Sequence, residues 1–554
     1  MNEPSQGAGS MKRIWQRQYQ EGVPADIDIE GYRSAVDFLT RAADARPDET
    51  AMVCLGSTLS YRELDTLSRA FAGYLLDVEG LHAGDRVAIM LPNLLHYPVV
   101  VFGALRAGLT LVNLNPFYTA REVLFNLQDS GASLLVVAES ALDVVPADVD
   151  GRPCRVVVAA ADEMPSFAQW ARQAVTTAAL PAQGERCRFK DALLKGRTVA
   201  YRDPVVTPDM NAFLQYTGGT TGKNKAAILS HRNIIANTRI MCDWFGADFT
   251  RGDECLVTVL PIYHIMGLAV GCFFSVAMTR KNVLIPNPRD LEHFADAFRA
   301  HRFTFLLGVN TLFNALLEHE PFRALDFSCL RQTIGAGAQV EASVARRWFE
   351  LTGCHLLSAY GLTEASPSVC ATPPHAFARR ESVGVPFPST DIKLLDEEGD
   401  EAPIGTPGEI TVKGPQVMSG YWNRPEETRD TFTADGYLRT GDIGMLDKDG
   451  FLSIVDRKKD VVLVSGFNVY PNEIEAVISL HDAVVECACI GVPDERTGEA
   501  LKVFVVSRRR ELTADVLQRF AREHLTAYKV PRQFEFIDAL PKSPVGKVLR
   551  RALR

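Results

Sequence analysis

A chain of 554 residues is too long for one compact core, so at least two domains are expected. Hydrophobic residues make up 47% and charged residues 23%, an ordinary composition for a soluble globular protein, and the formal net charge of -9 argues against general nucleic-acid binding. The eleven cysteines are scattered, with no CxxC pair and no Cys/His cluster at zinc-ligand spacing. They read as reduced, buried thiols of a cytoplasmic protein, with Cys487 and Cys489 on one face of a strand.

In chain order, residues 1–10 are polar and Gly/Ser-containing, carry no secretory pattern, and read as an extension ahead of Met11, a plausible coding start. Residues 1–33 are set apart with them as an N-terminal extension. Helical spacing begins at 35–45. Short β-rich runs at 86–91, 133–138, 155–159, 256–260, 282–286 and 303–307 then alternate with segments such as 98–107 that read as helices, the pattern of α/β layering. The apolar stretch 268–278 is well short of the ~20 residues a spanning helix needs. Contact with the inner face of a membrane is left open by this. From 386 to 417 short strands punctuated by Gly and Pro predict a smaller β subdomain.

The five charged residues 456–460, DRKKD, lie between two apolar runs and predict an exposed connection. After them, strand patterns at 461–465, 484–492 and 502–506 and helical patterns from 471 and across 514–525 predict a compact α+β unit. The chain is therefore divided into 34–458, a large layered α/β domain with its β subdomain, and 459–554, a small α+β domain.

The most informative segment is 216–227, YTGGTTGKNKAA, placed after a predicted strand and before a run, Ser-His-Arg-Asn, able to open a helix. Glycines let backbone approach a polyphosphate, while N–H groups, threonine hydroxyls and lysine supply donors. It is not a Walker loop. Three residues rather than four separate Gly218 from Gly222, and Asn224 follows Lys223 where Ser or Thr would stand. The segment resembles the phosphate loop of the adenylate-forming superfamily of acyl-CoA synthetases, luciferase and nonribosomal-peptide adenylation domains. The family's terminal Pro-Lys-Gly reads Asn224-Lys225-Ala226 here.

Further motifs follow in the family's order, from about residue 34 to the C-terminus. The resemblance implies that Thr217, Gly218, Gly219, Thr220, Thr221, Gly222 and Lys223 cradle the phosphates of ATP, with Lys225 in a catalytic role. PIYHIMG (261–267) resembles a segment bordering an acyl tunnel, implying an acyl-pocket place for His264, with Gly308 and Val309 of GVNTLFNALL (308–317). GAGAQV resembles the adenine wall, implying Gly335, Ala336 and Gly337. YGLTEASP (360–367) implies Tyr360 stacking on adenine, Gly361 and Thr363 near the nucleotide, and Glu364 with Thr221 as ligands of Mg²⁺, a hard cation that takes oxygen ligands.

TGD (440–442) implies that Asp442 receives the ribose hydroxyls together with Arg457, although the two could equally form an ordinary surface pair. Lys459 falls on the family's hinge position. SGFNVYPNEIE (465–475) implies Gly466 and Phe467 on the side that admits CoA, and PKSPVGKVLRR (541–551) implies Lys547 as the catalytic lysine.

The resemblance thus implies two half-reactions. A fatty acid carboxylate attacks the α-phosphate of ATP, releasing pyrophosphate, and the CoA thiol then displaces AMP from the acyl-adenylate. Mg²⁺, Lys547 and the loop donors offset charge on the phosphate. No GxSxG elbow suggests acyl-enzyme chemistry. The motifs are most similar to the bacterial long-chain fatty acid:CoA ligase branch. An aryl- or medium-chain acid:CoA ligase, a fatty acyl-AMP ligase and a non-catalytic adenylate-binding protein stay open as alternatives, as does a homodimer.

Overall fold

The computed structural model describes residues 13–164, 167–172, 186–199, 201–217, 224–246, 249, 252–337, 340–379, 381–494, 496–509, 511–542 and 548–554. Two large sheets carry the first part of the chain. In one, the parallel strands Leu356–Gly361, Gln332–Gly335, Phe305–Gly308, Cys255–Thr258, Lys281–Leu284 and Thr50–Cys54 lie side by side, with antiparallel strands at both edges. In the other, Asn211–Thr217, Thr110–Asn113, Arg86–Met90, Leu134–Ala138 and Val156–Ala159 run parallel. Lys225–Ser230 closes that edge antiparallel to Asn211–Thr217.

Strands such as Leu134–Ala138 are buried at every position, which is why they read as unbroken apolar runs rather than alternating ones. The helix His96–Arg106 is likewise buried on all sides, as a helix between two layers must be. Capping boxes start three of the helices: Ser60 with Glu63, Thr119 with Glu122, and Ser230 with Asn233, each pair bonding reciprocally to the other's backbone N–H.

Residues 13–33 are packed into this body. Trp15 is buried, Tyr19 meets Trp244 edge-on at 5.4 Å and donates its hydroxyl to the Pro386 carbonyl at 2.8 Å, and Arg13 pairs with Asp391 at 2.7 Å.

A four-stranded antiparallel sheet follows, ordered Asp391–Leu395, Gly408–Lys413, Leu438–Leu446 and Leu452–Arg457. The last sheet begins at Val462–Val464. It holds Phe467–Val469, Gly498–Ser507, Val484–Asp494 and Gln533–Phe536, covered by the helices Pro471–Ile478 and Ala514–His524.

Between these sheets the charged run 456–460 departs from the expected exposed connection. Lys458 and Lys459 are exposed, but Asp456 has no exposed surface and Asp460 only 8%. The reason is a cation supplied from far along the chain: Arg550 reaches both carboxylates, at 3.0 and 3.7 Å. No helix among the described residues is long and apolar enough to cross a membrane.

Candidate active site

Two neighbouring parallel strands end level with each other, with Gly308 opposite Gly335, and the third stands level with them at Ser358 before running on to Gly361. Carboxyl ends of parallel strands are where open α/β sheets bind ligands, because backbone groups are left unpaired there. Ala336 continues this edge, donating its N–H to the Gly308 carbonyl at 3.0 Å, and Gly337 turns away with φ of +79°. The third strand carries Tyr360 and Gly361. A Cβ on Gly361 would collide with the Pro367 carbonyl, so the close turn through 361–367 depends on glycine there. Thr363 and Glu364 lie in that turn, on the short helix Thr363–Ala365.

Asp442 meets this edge from the four-stranded sheet. Its Oδ2 accepts the Tyr360 hydroxyl at 2.7 Å, and its Oδ1 pairs with Arg457 Nε at 2.8 Å across directly opposed strand positions. Asp442 is 5% exposed, so this is not an ordinary surface pair. Burial first, and then the Asp442 charge, hold the Tyr360 hydroxyl well above its usual pKa, so it stays a donor. Each carboxylate oxygen keeps a lone pair beyond the one engaged.

In the other large sheet, Thr217 closes its strand with its hydroxyl 3.4 Å from the Lys225 carbonyl. The Lys225 ammonium sits 5.2 Å from the ring centroid of Tyr421, and the Tyr421 hydroxyl donates to Glu364 Oε1 at 2.7 Å. Tyr421 was not singled out from the sequence. An isolated bridge to Ala227, flanked by backbone hydrogen bonds from Ile228 to Gly420 and from Trp422 to Ala226, brings it beside the strand that carries Lys225.

The second Glu364 oxygen makes no hydrogen bond among the described residues, and no cluster of three metal-ligating side chains occurs among them. One oriented carboxylate suits Mg²⁺, which is commonly held by one or two carboxylates plus substrate phosphates rather than by an all-protein cage. Gly218, Gly219, Thr220, Thr221, Gly222, Lys223 and Lys547 lie outside the described residues.

An apolar cavity opens against Tyr360, Gly361 and Ala336. Met266 lines it, its methyl 3.6 Å from the Cβ position of Gly337. From there the helical segment 265–274 leads inward past Ala269 and Val270 to Phe274, which meets Phe245 edge-on at 6.0 Å. Phe245 and Phe387, with ring centroids 6.4 Å apart, also line the cavity, and Trp244 packs against Phe387.

His264, Gly308 and Val309 are not in that lining; their neighbours Met266 and Leu307 are. His264 is the N-cap of the helix Ile265–Leu268, its Nδ1 accepting the Met266 N–H at 3.4 Å, and a Val309 methyl lies 3.6 Å from the Cβ position of Gly337.

Gly466, with φ of +81°, follows Ser465 at the tip of a two-residue hairpin between paired Val464 and Phe467. Phe467 is exposed and stacks on Tyr528 at 4.9 Å. Lys459 lies in the single turn Lys458–Asp460 that joins the two small sheets.

Residues 39–422 match the family model of the AMP-binding enzyme, and residues 473–547 match that of the AMP-binding enzyme C-terminal domain. The long-chain-fatty-acid–CoA ligase of Yersinia pestis is 46% identical over 554 residues, covering 98% of each chain. That of Bacillus subtilis is 34% identical, again with 98% of each chain covered. The crystal structure of ATP-bound MatB from Rhodopseudomonas palustris superposes with a TM-score of 0.82 at 30% identity, covering 94% of this chain and 98% of that one.

Proposed function

The chain belongs to the AMP-binding enzyme family, and from that premise we propose that it is an ATP-dependent long-chain fatty acid:CoA ligase. The observation that carries this reading is the apolar cavity opening directly against the Tyr360–Asp442–Arg457 edge. It supports a reading in which a hydrocarbon chain lies beside the nucleotide, because its lining among the described residues offers no charged side chain.

In this reading Asp442 receives the ribose hydroxyls on its remaining lone pairs, while Tyr360 and Arg457 hold the carboxylate in place. Gly335, Ala336 and Gly337 let the base lie against backbone. Thr217 and the 218–223 loop donors, with Lys225, hold the phosphates, and Lys547 meets the α-phosphate where charge develops as the fatty acid carboxylate attacks. Mg²⁺, when bound, neutralises phosphate charge, and Glu364 with Thr221 would hold it. Tyr421 fixes which Glu364 oxygen is free for that purpose. No protein nucleophile is required, because the substrate oxygen attacks.

For the second step CoA must approach with AMP still bound. We assign residues 34–458 and 459–554 to two bodies that pivot at Lys459, bringing Gly466 and Phe467 to the thiol's path. A pyrophosphate-release assay over saturated acids of increasing length tests the assignment. The expected outcome is CoA-dependent turnover that rises with chain length, whereas turnover on benzoate or acetate in preference to long chains would overturn it.

A further inference from the structure

Arg550 is the most heavily engaged cation at the junction between the two small sheets. Its Nε and Nη2 form a fork on Glu475, at 3.0 and 2.7 Å. Nη1 donates to Asp456 at 3.0 Å and lies 3.7 Å from Asp460, and Nη2 also donates to Asn472. The guanidinium is mostly buried and Asp456 wholly so. Burial pushes the carboxyls of Asp456 and Glu475 upward, and the positive charge of Arg550 opposes this in both. Such a cluster is costly to form, so the bidentate geometry is the part that calls for an explanation beyond stability.

That geometry joins two things. Of the three carboxylates only Asp456 precedes Lys459, and it is the strand neighbour of Arg457. Successive side chains on a strand point to opposite faces, so Arg457 turns to Asp442 while Asp456 turns to Arg550. On its other side, Arg550 follows a pair of contacts between described residues 541–542 and 548–549. Lys542 and Val548 form an antiparallel bridge, Leu549 donates its N–H to the Pro541 carbonyl at 2.8 Å, and Lys542 pairs with Glu486.

We propose that Arg550 is a positioning residue for the adenylation half-reaction, tying Glu475, Asn472 and Asp460, which follow Lys459, to Asp456, the strand neighbour of Arg457. The inference rests on the reading of Lys547 as the lysine at the α-phosphate. A displacement of about 1 Å can cost on the order of 100-fold in rate, so a severed anchor should act on chemistry without touching substrate.

The test compares Arg550→Met, Arg550→Lys and Lys547→Ala in two separate assays: acyl-AMP formation from palmitate and ATP, and acyl-CoA formation from supplied palmitoyl-AMP and CoA. Arg550→Met is expected to lose on the order of 100-fold in the first and less than about threefold in the second, with Arg550→Lys recovering part of the loss. Asp456→Asn, which removes the same anchor with little change of shape, gives the equivalent split if Arg550→Met does not fold.

Equal losses in both assays, or no loss, would overturn the proposal while a selective Lys547→Ala defect left the lysine reading intact. A Lys547→Ala variant that still adenylates normally would overturn both.

Discussion

Truncating Phe245 in the lining of the apolar cavity should move the preferred acid toward longer chains. The ring is 5% exposed and sits among Phe274, Phe305 and Phe387, with centroids 5.8 to 6.4 Å away, so little can collapse into the space it leaves. Phe245→Ala removes six ring carbons, room for roughly three or four methylenes at interior packing density. Each additional buried methylene is worth about 0.8 kcal/mol, or about fourfold in kcat/KM. The kcat/KM maximum across C8 to C22 saturated acids should therefore shift by about two to four carbons. The acids formerly too long should gain more than tenfold relative to the shorter ones.

The cavity costs the unliganded protein about 3–5 kcal/mol, so a lowered Tm with recovery on adding a long acid is part of the same expectation. A folded variant with an unaltered chain-length profile would mean that the acyl chain does not reach Phe245.

Three further outcomes follow from the site and core. Tyr421→Phe removes the hydroxyl that orients Glu364; a hydrogen bond to a charged group is worth about 1.5–3 kcal/mol, so adenylation should fall roughly 10- to 100-fold at limiting Mg²⁺ and recover in part at high Mg²⁺. An unchanged Mg²⁺ titration would refute this role. Lys459→Pro fixes φ near about -65°, within the range of the helical turn it occupies, and should spare acyl-AMP synthesis while abolishing most CoA transfer; wild-type acyl-CoA formation from acyl-AMP would remove Lys459 as the pivot.

His96 is buried beside Phe189 with no hydrogen-bond partner among the described residues, and burial lowers its pKa from 6.5 to about 4. The unfolded chain protonates first, so the stability held by the neutral ring is full above pH 6.5 and is lost as pH falls toward 4, about 3 kcal/mol in all. His96→Phe should flatten that acid limb in denaturant titrations; an unaltered slope would show that His96 does not drive it.

Much of this arrangement was legible in the sequence because it is carried by local patterns. Buried parallel strands announce themselves as apolar runs, and the edge proposed to hold the nucleotide sits on contiguous motifs around 335–337, 360–364 and 440–442. What was not legible depends on partners distant in the chain. The run 456–460 reads as exposed by its charge, yet Asp456 is buried because Arg550 arrives 94 positions later. Tyr421 gains its meaning only from Glu364, 57 positions earlier. His264 caps the next helix, while the apolar cavity is lined by Met266, a flexible apolar side chain that periodicity alone cannot distinguish from ordinary core.

The central claim is that one chain forms an acyl-adenylate and then passes the acyl group to CoA. It is tested most directly by a single-turnover experiment with radiolabelled palmitate and ATP, chased with CoA. The account predicts enzyme-bound palmitoyl-AMP and pyrophosphate in equal amounts before the chase. After it, the label should move quantitatively to palmitoyl-CoA with release of AMP. A bound palmitoyl-AMP that CoA does not discharge, or thioester formed with no adenylate on the way, would contradict it.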